Sequence, residues 1–146
     1  MNSAPTESSA ALAIRARLLA TPAVVALLGS RIHPQRAPQN GGDLPYLVYR
    51  VESADDDPRI SGGLSEVSVR LIAVARSTPA LSGYDAVRAI AGALKTALDQ
   101  RTWTDGATYV RGCFLGDATD LSIEPDDGSD EPLDGVEHTY RVFLRE

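Results

Sequence analysis

Two histidines, one cysteine, a glycine pair and two runs of carboxylates are the residues in this 146-residue chain with most chemical potential. His33 lies in "RIHPQRAP" and His138 in "VEHTYRVFLR". Two imidazoles and a carboxylate suffice for zinc, yet neither histidine belongs to a ligand-spaced motif such as HExxH. The plain expectation is a loop residue at 33 and a half-buried strand residue at 138. Cys113 has Arg111 nearby but no base at a signature spacing, so it reads as a small core residue rather than a nucleophile. A single cysteine also excludes an intramolecular disulfide and a cysteine-based zinc site within one chain. "SGGLS" (61–65) lacks the GK[ST] of a phosphate-binding loop. The acidic runs "DDD" (55–57) and "EPDDGSDE" (124–131) lack the alternating oxygens and terminal glutamate of a calcium loop. They read as solvated loops, or as a surface that repels phosphates and lets DNA slide past. No enzyme activity and no cofactor are expected.

Bulk properties agree. The net charge is −6 with a pI near 4.9, against a module that grips nucleic acid through its phosphates. The length suits one domain with a core of its own. No apolar run approaches the length of a membrane span, and "MNSAPTESS" lacks the basic and apolar regions of a secretory signal. A soluble intracellular protein is the expectation.

The elements that must position these residues follow from periodicity. Residues 1–7 read as a disordered tail and 8–146 as one domain. Ser8 or Ser9 caps a helix to about Ala20, with Leu12, Ile14, Leu18 and Leu19 on its apolar side. Thr21-Pro22 starts a second, short helix that stops at Gly29. Residues 30–44 carry too many prolines and glycines for a regular element. "YLVYRVES" (46–53) and "LSEVSVRLIAVAR" (64–76) read as strands. Leu81 to Asp99 is a plain amphipathic helix; Gly92 within it costs roughly 1 kcal/mol, which predicts a close approach by a neighbouring element. After the Asp105-Gly106 turn come strands at Tyr109–Leu115 and Ala118–Glu124, an acidic loop, and a closing strand over 136–145. Without a βαβαβ rhythm, the expected class is α+β: a mostly antiparallel sheet of about four to five strands with helices packed on one face. His138 to Leu144 is a candidate open edge for a neighbouring copy. Trp103 either plugs the end of the core or anchors an interface.

The ordered set "TPAV" (21–24), "GSRIHP" (29–34), Ala37-Pro38, "LPYLVYR" (44–50), "AVRAIAGAL" (86–94) and "HTYRVFLR" (138–145) resembles the tail-completion or tail-terminator proteins of long-tailed phages and prophages. The resemblance covers the chain from about Leu12 onward. It implies a structural virion protein that forms a ring, commonly a hexamer, at the head-proximal end of the tail tube. Such a ring ends tube polymerisation and joins the tail to the head connector, with DNA passing through without specific binding. The implied partners are further copies of itself, the tube protein and a connector or stopper protein, and no membrane. The implied location is the tail neck of the virion, after assembly in the host cytoplasm. Beside that resemblance, Arg31, His33, Arg36, Arg59, Ile60 and Trp103 are expected at subunit or tube contacts. Asp55, Asp56, Asp57, Asp126, Asp127 and Asp130 are expected to face the DNA channel. The competing expectations are a head-side stopper or adaptor, and a small-molecule- or metal-binding domain using His33, His138 and the acidic loops.

Overall fold

A computed structural model of the chain describes residues 3–34, 44–55, 65–106, 108–123 and 133–145. In chain order the elements are α1 (Ser3–Leu19), α2 (Pro22–Leu28), β1 (Ile32–Pro34), β2 (Tyr46–Asp55), β3 (Ser65–Ala75), α3 (Gly83–Leu98), β4 (Trp103–Asp105), β5 (Thr108–Ile123) and β6 (Leu133–Arg145). They build an α+β fold around one six-stranded sheet of order β1-β2-β3-β6-β5-β4. Every pairing is antiparallel except that of β1 with β2.

Alternation along the strands puts one side chain in two toward the helices. On β3 these are Val67, Val69, Leu71, Ala73 and Ala75; on β6 they are Val136, His138, Tyr140, Val142 and Leu144, all buried. The helices cover this side with Ala10, Ala13, Ile14 and Leu18 of α1, Val24 and Leu28 of α2, and Val87, Ile90, Leu94 and Leu98 of α3. α3 starts where the hydroxyl of Ser82 accepts the Asp85 N–H at 3.1 Å, and Asp85 and Lys95 sit at the ends that favour their charges. α2 follows Thr21 with Pro22 in its first turn and ends at Gly29, whose φ of 60° suits glycine.

A tie between α1, α3 and β4 closes one end of the core. The Trp103 indole N–H donates to the Ala13 carbonyl at 3.0 Å. Arg17 lies over the Trp103 ring and donates from Nε to the Ala97 carbonyl at 3.0 Å, meeting one of the last carbonyls of α3.

Several local expectations are corrected. The segment after Gly29 forms β1, because Ile32 inserts into the core and the Leu47 N–H bonds to the Arg31 carbonyl. Residues 109–123 are not two strands but part of the single strand β5, and Glu124 lies outside the described residues. Gly116-Asp117, which looks like a turn, is absorbed as a register shift opposite Tyr140 and Thr139. β6 is not an edge; it lies between β3 and β5. Leu12 points to solvent, 58% exposed, rather than to the core. A Cβ at Gly92 would meet nothing within 4 Å, so no element among the described residues approaches it. α1 is helical from Ser3, ahead of the Ser8–Ser9 cap.

Candidate functional site

With all three helices on one side, the other side of the sheet is the surface open to partners. Its lower end, where β2 begins and β3 finishes, is apolar. Tyr46 and Val48 of β2 stand beside Val74 and Ile72 of β3, with Val48 and Val74 buried. His33 pairs in register with Val48, and its ring lies 6.2 Å from that of Tyr46.

The middle rows are ionic. Arg70 Nε lies 2.8 Å from Glu52 on one side and 3.5 Å from Glu137 on the other, so one guanidinium joins three strands. Arg141 lies 3.0 Å from Glu66 across the β3–β6 seam. These groups are partly exposed, so each pair contributes little stability; their effect is to keep the face polar and in register.

The upper end is aromatic and cationic. Phe114 and Phe143 pack edge to face at 6.0 Å. Arg141 lies over the Phe143 ring at 5.4 Å and Arg111 over the Tyr109 ring at 5.2 Å. Tyr109 and Phe114 are 41% and 44% exposed. The register brings the pieces together: Tyr109 faces Arg145, Gly112 faces Phe143 and Phe114 faces Arg141. Sequence reading sees the Arg141–Phe143–Arg145 stripe but not its partners. The shift between Val110 and Gly112 decides which β5 residues share that face.

Two more surfaces are open. The outer side of β5 meets β4 only through Thr108–Val110. Further along, the Cys113 carbonyl accepts from the Gln100 N–H and the Leu115 N–H donates to Asp99. From Gly116 to Asp120 the strand is exposed and has no strand outside it among the described residues. On the helix side, an open groove of about 530 Å³ runs between α2 and α3, lined mainly by Leu27, Pro45, Ala75, Leu81 and Ile90.

The residues with chemical potential are kept apart. His33 sits on edge strand β1 on the helix-free side; His138 is buried on the helix side of β6. His138 Nδ1 is 3.1 Å from the Tyr140 hydroxyl. Burial holds the imidazole below its ordinary pKa, aided by Lys95 and Arg88 and opposed by Asp120. Burial pushes the Cys113 thiol up to about 12, assisted by Asp99, so it is a poor nucleophile. Among the described residues, no group of three or more His, Cys, Asp or Glu side chains is placed to hold a metal ion.

Of the expected contact residues, Arg31 donates to the Pro45 carbonyl at 2.7 Å, fixing the turn into β2, and Trp103 is half-buried in the tie described above. Asp55 ends β2. Arg36, Arg59, Ile60, Asp56, Asp57, Asp126, Asp127 and Asp130 lie outside the described residues. Strand directions still place their points of attachment: 56–64 leaves the upper end of the sheet and 124–132 the lower. Ten residue steps along β3 separate these ends, about 33 Å.

A family model described as "Tail completion protein gp17" matches residues 12–144. Among solved structures, a chain from "Virion of native gene transfer agent (GTA) particle" is similar, with a TM-score of 0.65 at 16% identity. The match covers 91% of this chain and 92% of that one. At that identity the likeness is one of fold. No curated protein matches.

Proposed function

Because this chain belongs to the tail completion protein gp17 family and is a non-enzymatic structural component of the phage tail, we propose that it acts as a tail terminator. Copies of it, six by analogy with the resemblance, form a ring on the head-proximal end of the tail tube. The ring ends tube growth and offers its other face to the head connector, and DNA passes through its centre. The family match along almost the entire fold carries this reading. The one-sided sheet supports it: three helices seal one face and leave a patterned polar and aromatic face for neighbours.

In this reading Arg31, just before β1, and His33, on it, are joined by Arg36, Arg59, Ile60 and Trp103 in subunit or tube contacts. The acidic runs divide the remaining work. Asp55–Asp57 and Asp126–Asp130 belong to segments attached at opposite ends of the sheet. Asp55–Asp57 lines the channel and repels DNA phosphates, and the second run is left for contacts between copies. Replacing Asp55, Asp56 and Asp57 by asparagine leaves folding unchanged and slows or truncates DNA ejection. Unchanged ejection kinetics over a range of salt would remove that run from the channel.

Electron microscopy of particles assembled without the protein tests the main reading. Over-long or ragged tails are expected. Normal tails beside leaky or empty heads would make it a head-side stopper instead. Mass measurement of the protein alone and with the tube protein gives the number of copies.

A further inference from the structure

From the upper end of the helix-free face we infer a docking site for the acidic segment 124–131 of a second copy of this chain. The inference rests on the reading of this protein as a self-assembling ring and says which surfaces meet. The site is the cluster of Tyr109, Arg111, Phe114, Arg141 and Phe143.

The state of the aromatic rings argues for carboxylates over nucleic-acid bases. Flat sheets that bind single strands present ring faces for stacking. Here guanidinium groups already lie over Tyr109 and Phe143, and Phe143 also packs against the Phe114 ring. The rings thus serve as a floor against which two guanidinium groups lie, and guanidinium groups pair with carboxylate oxygens. Arg111 meets no carboxylate among the described residues, and Arg141 meets only Glu66. Aromatic and arginine side chains in one cluster are also the composition of an interface centre.

The occupant follows from charge. Segment 124–131 carries Glu124, Asp126, Asp127, Asp130 and Glu131 with no cation, whereas the other acidic run shares its connection with Arg59. The segment's backbone falls short of the site in its own copy. Eight residue steps along β6 from Leu133 to Arg141 span about 26 Å. The nine residues 124–132, anchored at both ends, extend about 17 Å at most. A contact between the lower end of one copy and the upper end of the next is heterologous, the type that closes into a ring where the rotation between copies divides a full turn.

Two full-length variants isolate one interface. Arg111→Glu/Arg141→Glu disables the site and keeps the segment; Asp126→Lys/Asp127→Lys/Asp130→Lys does the reverse. Both changed regions are exposed or polar, and circular dichroism checks folding. Arg111→Gln/Arg141→Gln is a milder substitute should the first variant not fold. Analytical ultracentrifugation should show each variant monomeric alone and the mixture forming a 1:1 pair and nothing larger. The pair should weaken at least ~10-fold between roughly 0.05 and 0.5 M salt. Adding Asp55→Asn/Asp56→Asn/Asp57→Asn to the partner should leave it unchanged. A site variant that self-associates like wild type, or a mixture that does not pair, overturns the inference. Fluorescence titration with a single-stranded oligonucleotide completes the test: binding that is lost in Arg111→Gln/Arg141→Gln would make the site a nucleic-acid surface and overturn it too. Tails of normal length in the absence of the protein would sink the terminator reading, whereas a missing pair beside over-long tails would sink only this one.

Discussion

Two glycines of α3 make opposite demands that a melting experiment separates. Gly92 is exposed, and an added Cβ there meets nothing within 4 Å. Gly92→Ala therefore gains the helix-propensity difference with no packing cost, about 1 kcal/mol. With an unfolding entropy of about 2.1 cal/mol/K per residue, 146 residues give about 0.3 kcal/mol/K, so the midpoint should rise by about 3 °C. Gly83, the first residue of α3, is buried, and its amide donates to Ser77 Oγ at 2.8 Å. A Cβ there lies 2.5 Å from Asp134 Oδ2, 3.1 Å from the Ser77 nitrogen and 3.2 Å from the Arg76 carbonyl carbon. The carboxylate can swing away, but the two backbone atoms cannot without moving the β3–α3 connection. Overpacking of this kind costs about 1–3 kcal/mol, so Gly83→Ala should melt about 3–10 °C lower. Thermal melts and urea titrations of both variants at neutral pH are the assay. A fall for Gly92→Ala would mean that something does approach α3 at that position. A rise for Gly83→Ala would mean that the connection yields freely, and either result would refute the packing argument.

Three further outcomes follow from buried groups. His138 is neutral in the fold because burial lowers its pKa; the unfolded chain takes up a proton below about 6.5. Stability should therefore fall as pH drops below that value, and His138→Leu should flatten this part of the curve of urea midpoint against pH; an unchanged slope would show that His138 does not carry it. Cys113, fully buried with its thiol at about 12, should ignore a thiol reagent in native buffer and consume one equivalent in denaturant; fast native labelling would contradict its place in the core. Trp103→Phe keeps an aromatic ring but loses the indole N–H that bonds to Ala13 and part of the packed ring; it should cost at least about 1 kcal/mol, read by urea unfolding followed by circular dichroism.

Periodicity made the interior of this fold readable. α3 alternates at helical spacing and β3 at strand spacing for most of their length, and burial follows that pattern residue by residue. What escaped reading depended on partners distant in sequence. β1 exists because Arg31–Pro34 meets β2, and its proline and histidine give no local sign of a strand. Gly116-Asp117 has turn chemistry, but twelve backbone pairings with β6 on either side of it are enough to hold the chain extended. Tyr109 and Phe114 carry no motif. They join Arg141 and Phe143 only through the register of two strands, one of them shifted twice. The acidic runs were plain in the sequence, whereas their attachment at opposite ends of the sheet was not.

The open edges bear on how copies meet. A terminal strand free to pair with a neighbour is the simplest route to a ring, but β6 is interior. Two of the edges that remain among the described residues are poor templates. β1 is three residues long and ends in Pro34, which has no N–H to offer. The exposed stretch of β5 begins at the Gly116 shift and carries Asp117 and Asp120, the bulge and charges that discourage edge pairing. Backbone pairing is thus discouraged at β1 and along that stretch of β5, whereas β2 beyond Tyr49 and β4 have no strand outside them among the described residues. Side-chain contacts are the other route, and among the described residues the upper end of the helix-free face holds an exposed group of aromatics and arginines. An assembly built on carboxylate–guanidinium contacts is salt-sensitive and reversible until several contacts close together. That would suit the proposed terminator, whose copies gather on a tube end.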